Sequence, residues 1–280
     1  MTKYSPILSS IFLNAFDLRR QWSLSAEDDL PIESIDEIEN LVNSVALKMI
    51  YKFNDSTFRP IFGKLIEWAS SGLPKKDKTG RILRLQSVYT FLAIFFDSLK
   101  SIITSYATYV LENVVEVLQT VDTKNDDSKE LWMRALRTLI HCFKHDQDDF
   151  WQSPAHFDAI APALMGQFVH ASSLPLVEEL VPAVVELAAA ADSADHHKAL
   201  NGTILKHMRS EIASVRLAAV KCGQALTDRL GEEWLSMLPE MLPFISELQE
   251  DDDEVVEKET HRWIVKIEGV LGESLDSMLQ

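Results

Sequence analysis

Glycine and proline are scarce in this chain, 9 and 10 among 280 residues. A β-rich fold of that length needs many tight turns, and tight turns need residues that tolerate positive φ, so the scarcity argues against one. Two cysteines, Cys142 and Cys222, cannot supply a disulfide framework or a cysteine-rich zinc site. Each fits a reducing compartment as a small buried apolar residue. The nucleotide-binding patterns GxxxxGK followed by Ser or Thr, and GxGxxG, are missing, as is the nucleophile pattern GxSxG. No enzyme constellation and no cofactor site is therefore expected. The longest run without Asp, Glu, Lys or Arg, 159–177, is broken by Pro162, Gln167, His170 and Pro175, so no membrane span is expected. Residues 4–16 lack charge, but no small-residue cleavage pattern follows them and no secretory signal is read there.

What the chain does have is apolar residues at helical spacing, with 46% hydrophobic content, enough for a sizeable core. Its net charge of −16 is uneven. Residues 231–280 hold 14 acidic and 3 basic residues, whereas the preceding 230 are nearly balanced. An acidic module of that kind disfavours nucleic acid as its own ligand.

An internal repeat organises the C-terminal part. SEIASVRLAAVKCGQALTDRLGE (210–232) aligns with DDDEVVEKETHRWIVKIEGVLGE (251–273) at a constant offset of 41. Val215 falls on Val256, Leu226 on Ile267, and Leu230-Gly231-Glu232 on Leu271-Gly272-Glu273. The Leu-Gly pairs read as helix stops, with glycine taking the left-handed conformation at low cost. Between the copies, Trp234, Leu235, Leu238, Leu242, Ile245 and Leu248 recur at three- and four-residue steps, with Pro239 and Pro243 expected to bend the helix. A helix–turn–helix unit of about 41 residues has the period of HEAT or armadillo repeats.

Further helices are predicted at 6–22, 33–53, 57–70, 80–98, 100–121, 128–145, 154–170, 173–190 and 195–208. The likeliest turns lie at 23–31, 54–57, 71–80, 121–127 and 146–154. The fold class expected is all-α, an α-solenoid of HEAT-like antiparallel helix pairs with about twelve helices. Residues 1–125 form its N-terminal helical region. Residues 126–280 form the C-terminal repeats, ending in an acidic capping repeat at 232–280, because an array of stacked pairs needs a polar end.

Two charged stretches are candidate contact sites. In QEDDDEVVE (249–257), Asp251, Asp252 and Asp253 are consecutive and no glycine follows until Gly269, so an EF-hand-type calcium loop is excluded. These residues read as the start of a helix, which one or two carboxylates would cap; the excess charge suits a basic partner. In PKKDKTGRILR (74–84), Lys75, Lys76, Lys78, Arg81 and Arg84 surround Asp77 in a loop leading into a helix, where phosphate could be met. No aromatic residues are interleaved there as stacking platforms, and an ordinary solvated loop is the competing reading.

His141 and His145, at i and i+4, have a spacing able to ligate zinc. No HExxH pattern accompanies them, and packing or exposure is the expected role. His196 and His197 point to different helix faces and are expected in a solvated turn. Phe91, Phe95, Phe96, Trp132, Phe143 and Trp263 fall at helical spacing and are expected in the core. No metal site is expected.

The ending EMLPFISELQEDDDEVVEKETHRWIVKIEGVLGESLDSMLQ resembles the extreme C-terminus of the very large HEAT-repeat subunits of the small-subunit processome. FLNAFDLRR (12–20) and FRPIFGKLIEWA (58–69) resemble the conserved region that precedes those last repeats. One departure is Glu257, which stands where Arg216 stands one repeat earlier, so an Asp–Arg ladder between repeats stops there. The resemblance implies a nucleolar, non-catalytic scaffold in ribosomal RNA transcription and early processing. Its partners would be other processome proteins, with pre-ribosomal RNA or the U-three small nucleolar RNA meeting the basic loop. It also implies that these residues are the tail of a far longer chain. The alternative is a transport or adaptor solenoid carrying basic cargo.

Overall fold

The computed structural model describes residues 4–25, 31–100, 103–276 and 278–279. Among them are fourteen α-helical segments and no strand. The helices fall into two compact units, residues 1–117 with 124–145 and residues 118–123 with 146–280.

The first unit contains α1 (Ser5–Phe16), α2 (Leu18–Leu24), α3 (Ile32–Ile50), α4 (Asp55–Ser71), α5 (Lys78–Ser98), most of α6 (Ile103–Gln119) and α7 (Asp126–Lys144). The single helix expected over 6–22 is broken at Asp17, whose carboxylate turns inward to the α5 residue Arg84. Most of the turn expected at 23–31 lies outside the described residues.

Helix α5 is the axis of this unit. Leu83, Leu85, Val88, Phe91, Leu92, Phe95 and Phe96 are buried around its whole circumference, as a central helix surrounded by others requires. The rings of Phe58, Phe62, Phe95 and Tyr106 pack with centroids 4.9 to 5.8 Å apart. Buried Glu39 is held by two neighbours. The Arg19 guanidinium donates to both Glu39 oxygens at 3.1 and 2.6 Å, and Ser87 Oγ donates to Glu39 Oε1 at 2.6 Å.

Helix α7 runs parallel to α5. Gln86 Nε2 donates to Asp127 O at 2.8 Å, and Thr138 Oγ1 to Tyr89 O at 3.0 Å. By covering α5, α7 completes the first unit, which takes in residues 124–145.

The second unit contains α8 (Pro154–Met165), α9 (Val181–Ala190), α10 (Ala194–Met208), α11 (Ala213–Leu230), α12 (Glu232–Leu235), α13 (Leu238–Leu248) and α14 (Glu254–Leu271). Its pairs stack in two layers. In one, α8, α10 and α13 run the same way: the Phe157 ring stacks on His196 at 3.9 Å and Phe168 on His207 at 4.9 Å, and Arg209 bonds Glu247. In the other, α9, α11 and α14 pack side by side. Helices α11 and α14 have bounds 41 residues apart at both ends, as the repeat predicts. They end at Gly231 (φ 57°) and Gly272 (φ 74°), where a positive φ favours glycine.

The predicted helix at 154–170 closes in a 3₁₀ turn from Gly166, and that at 173–190 opens with a π turn over Leu176–Leu180. The stretch between the repeat copies is two helices rather than one bent helix. Pro239 occupies the first turn of α13, where it has no backbone donor to lose, and α12 stops ahead of it. The six aromatics assigned to the core are all buried.

Candidate functional site

The acidic turn between α13 and α14 is built from three aspartates with different tasks. Asp253 is the N-cap of α14; its Oδ1 accepts from the backbone N–H of Val255 and Val256 at 3.0 and 3.1 Å. Asp251 is gripped by Arg216 of α11, whose Nε donates to Oδ2 at 2.7 Å and Nη2 to Oδ1 at 2.6 Å. That bidentate pair is nearly dry, with side chains 11% and 5% exposed. Burial alone would raise the Asp251 carboxyl; hydrogen bonds from Arg216 and from the Asp253 backbone hold it below its ordinary value. Arg216 Nη1 also donates to Ser210 O at 2.9 Å, the residue that the offset of 41 aligns with Asp251. One guanidinium thus ties the turn before α11 to the turn before α14. Asp252 touches Arg216 Nη2 at 2.7 Å, but its side chain is 93% exposed, and Glu250 and Glu254 are exposed beside it.

A second polar rung follows along the same two helices. Buried Glu259 accepts from Lys221, Gln224 and Arg262. Desolvation would raise its carboxyl, and the Lys221 and Gln224 hydrogen bonds bring it below its ordinary value. Trp263 Nε1 then donates to Thr227 Oγ1 at 2.8 Å, with its ring lying over Gly223.

The basic stretch divides in two. Lys75 and Lys76 stand exposed in the turn, and Lys78 is exposed at the first position of α5. Arg81 is half-buried and donates to Lys75 O at 3.0 Å, which fixes the turn. Arg84 is buried. Its Nε donates to Asp17 Oδ1 at 2.7 Å, Nη1 to Trp68 O at 3.2 Å, and its guanidinium lies 4.1 Å from the Trp68 ring. It is a packing residue of the first unit, because helical periodicity turns it inward to the one carboxylate able to neutralise it. Burial would raise the Asp17 carboxyl, and its bonds from Arg20 and Arg84 hold it below the usual carboxylate range. The N-terminus of α5 already has an anion: Asp77 Oδ1 accepts from Gly80 N–H at 2.9 Å.

The histidines divide as well. His196 and His197 are buried rather than solvated. His196 Nε2 donates to Gln152 O and His197 Nε2 to Ala188 O, both at 2.8 Å, so the adjacent pair ties α10 to two separate neighbours. His141 and His145 share a face of α7 and both approach Asp97 in the last turn of α5. The sequence offered no sign of Asp97, which lies 48 residues from His145 and reaches it only because α5 and α7 run parallel.

Residues 1–151 match the family model described as the BP28CT (NUC211) domain. The chain is 62% identical over 274 residues, 98% of its length, to a Chaetomium globosum protein called U3 small nucleolar RNA-associated protein 10. Proteins of the same name match at 58% over 281 residues in Neurospora crassa and 50% over 289 in Aspergillus niger. The chain spans only 15 to 16% of the length of these relatives. The crystal structure of an engineered protein aligns over 92% of this chain and 98% of its own, with a TM-score of 0.47 at 17% identity.

Proposed function

The chain belongs to the BP28CT (NUC211) domain family, and from that membership we propose that it is a non-catalytic scaffold segment of the small-subunit processome in the nucleolus. The observation that carries this reading is the near-complete alignment of the chain with proteins named for their association with U3 small nucleolar RNA. The geometry supports the role: stacked helices fix the positions of exposed side chains on which assembly partners dock.

Two surfaces carry the docking. Asp252, with Glu250 and Glu254 beside it, offers carboxylates in excess of what capping and the Arg216 pair require, and these meet a basic protein segment; Asp251 and Asp253 act indirectly, by holding the turn. Lys75, Lys76 and Lys78 offer exposed ammoniums to phosphates of pre-ribosomal or U3 RNA, while Arg81 orders their turn. Among the described residues no helix is long and apolar enough to cross a membrane.

Affinity purification of the 280-residue chain from nuclear extract tests the scaffold role. Recovery of other processome proteins is expected. Recovery of none, where the full-length protein recovers them, rejects docking through this region. Recovery of basic localisation peptides instead would favour a cargo-carrying adaptor.

A further inference from the structure

Asp97, His141 and His145 stand apart from both charged turns. Their three donor atoms lie within 4.8 Å of one another. Asp97 Oδ1 is 3.0 Å from His145 Nε2 and 3.3 Å from His141 Nδ1. A tetrahedral ion with bonds of about 2.0–2.2 Å sets its ligands about 3.3–3.5 Å apart, so the cluster is close to ligating geometry before any adjustment.

His141 Nδ1 is shielded from solvent and faces the Asp97 carboxylate oxygen at 3.3 Å without a hydrogen bond. A buried ring nitrogen left unpaired is costly, and a metal ion would satisfy it. The carboxylate is already committed to His145, at hydrogen-bond distance from Nε2.

One further observation favours a cation. The cluster sits where the C-terminal ends of two parallel helices meet, with Asp97 in the last turn of α5 and His145 as the C-cap of α7. Free carbonyls at such ends make the local potential negative. The ammonium groups of Lys100 and Lys144 also act on the cluster, and their positive charge opposes a cation there.

We propose that Asp97 Oδ1, His141 Nδ1 and His145 Nε2 form a binding site for a borderline divalent cation, with zinc as the reference ion and one coordination position open to solvent. Two imidazoles and a carboxylate suit zinc, cobalt and nickel rather than magnesium or calcium, which prefer all-oxygen shells. The bound ion clips the end of α5 to the end of α7, and since both ligating helices belong to the first unit, it stabilises that unit.

The test uses the 280-residue protein stripped with a chelator and then dialysed against zinc, with metal content and competition against a chromogenic chelator as readouts. One equivalent per chain is expected, with a zinc-dependent rise in Tm. Asp97→Asn and His145→Gln should each lose the equivalent and the Tm rise while keeping the helical circular dichroism of the parent. Zinc content unchanged in both folded variants, or no binding by the parent, overturns the site. If a variant fails to fold, histidine side-chain NMR of the unmutated protein decides. Zinc should shift the ring resonances of His141 and His145 selectively; shifts confined to the other histidines overturn the proposal.

Discussion

Arg216 on α11 holds Asp251, 35 residues further along the chain, through two charge-assisted hydrogen bonds of 2.6 and 2.7 Å in a nearly dry setting. The pair links consecutive repeats at the same register, and it ends there, because the next position in the ladder is Glu257. Beyond this pair the turn carries more carboxylate than a helix cap needs, with Asp252, Glu250 and Glu254 exposed beside it.

Removing the guanidinium leaves the Asp251 carboxylate buried without its counter-charge. Arg216→Ala should therefore destabilise the second unit by about 2–3 kcal/mol. Asp252→Asn, at an exposed carboxylate, should leave Tm nearly unchanged. Thermal unfolding of both variants checks the contrast, and a double-mutant cycle of Arg216 with Asp251 should show strong coupling.

The same pair predicts an acid limb. The Asp251 carboxyl lies below 3.8 in the folded state, its ordinary value being the unfolded reference. Its stabilising contribution is thus present above about pH 4 and is lost as pH falls through the lower folded value. Asp251→Asn should flatten the part of the stability–pH curve below pH 4, measured by denaturant unfolding.

Two glycines should respond with opposite signs. A Cβ on Gly223 would come within 2.7 Å of the Trp263 ring, which the Thr227 hydrogen bond holds in place. Gly223→Ala should cost about 1–3 kcal/mol. A Cβ on Gly202, inside α10, meets nothing within 4 Å. Gly202→Ala should stabilise by about 0.4–1 kcal/mol.

The basic stretch separates by burial. Arg84→Ala should lower the Tm of the first unit by removing one of the two guanidiniums that hold the buried Asp17 carboxylate and the contact with Trp68. The triple change of Lys75, Lys76 and Lys78 to Glu should leave Tm in place and abolish crosslinking to RNA. Crosslinking that survives in the triple variant removes RNA from the account of this turn.

Much of the fold was legible because α-solenoids repeat. The offset of 41 gave both ends of α11 and α14, and Leu-Gly marked their stops. The rest depended on which helices run side by side. Periodicity along α5 does not say that Arg84 finds Asp17, 67 residues away, nor that Asp97 meets two histidines of α7. Nor does it say that α7, after the loop at 121–127, folds back along α5. His196 and His197 looked solvated because both neighbours of an adjacent pair are seldom buried, and here separate helices cover each one.

The central proposal is that this segment docks the protein into an assembly that contains U3 small nucleolar RNA. Recovery of U3 small nucleolar RNA with the full-length protein, carrying or lacking the region that these 280 residues match, tests it most directly. The account predicts that deletion sharply lowers U3 recovery at unchanged protein level, and that Asp252→Lys combined with Glu250→Lys and Glu254→Lys lowers it in part. Undiminished recovery after deletion would contradict it.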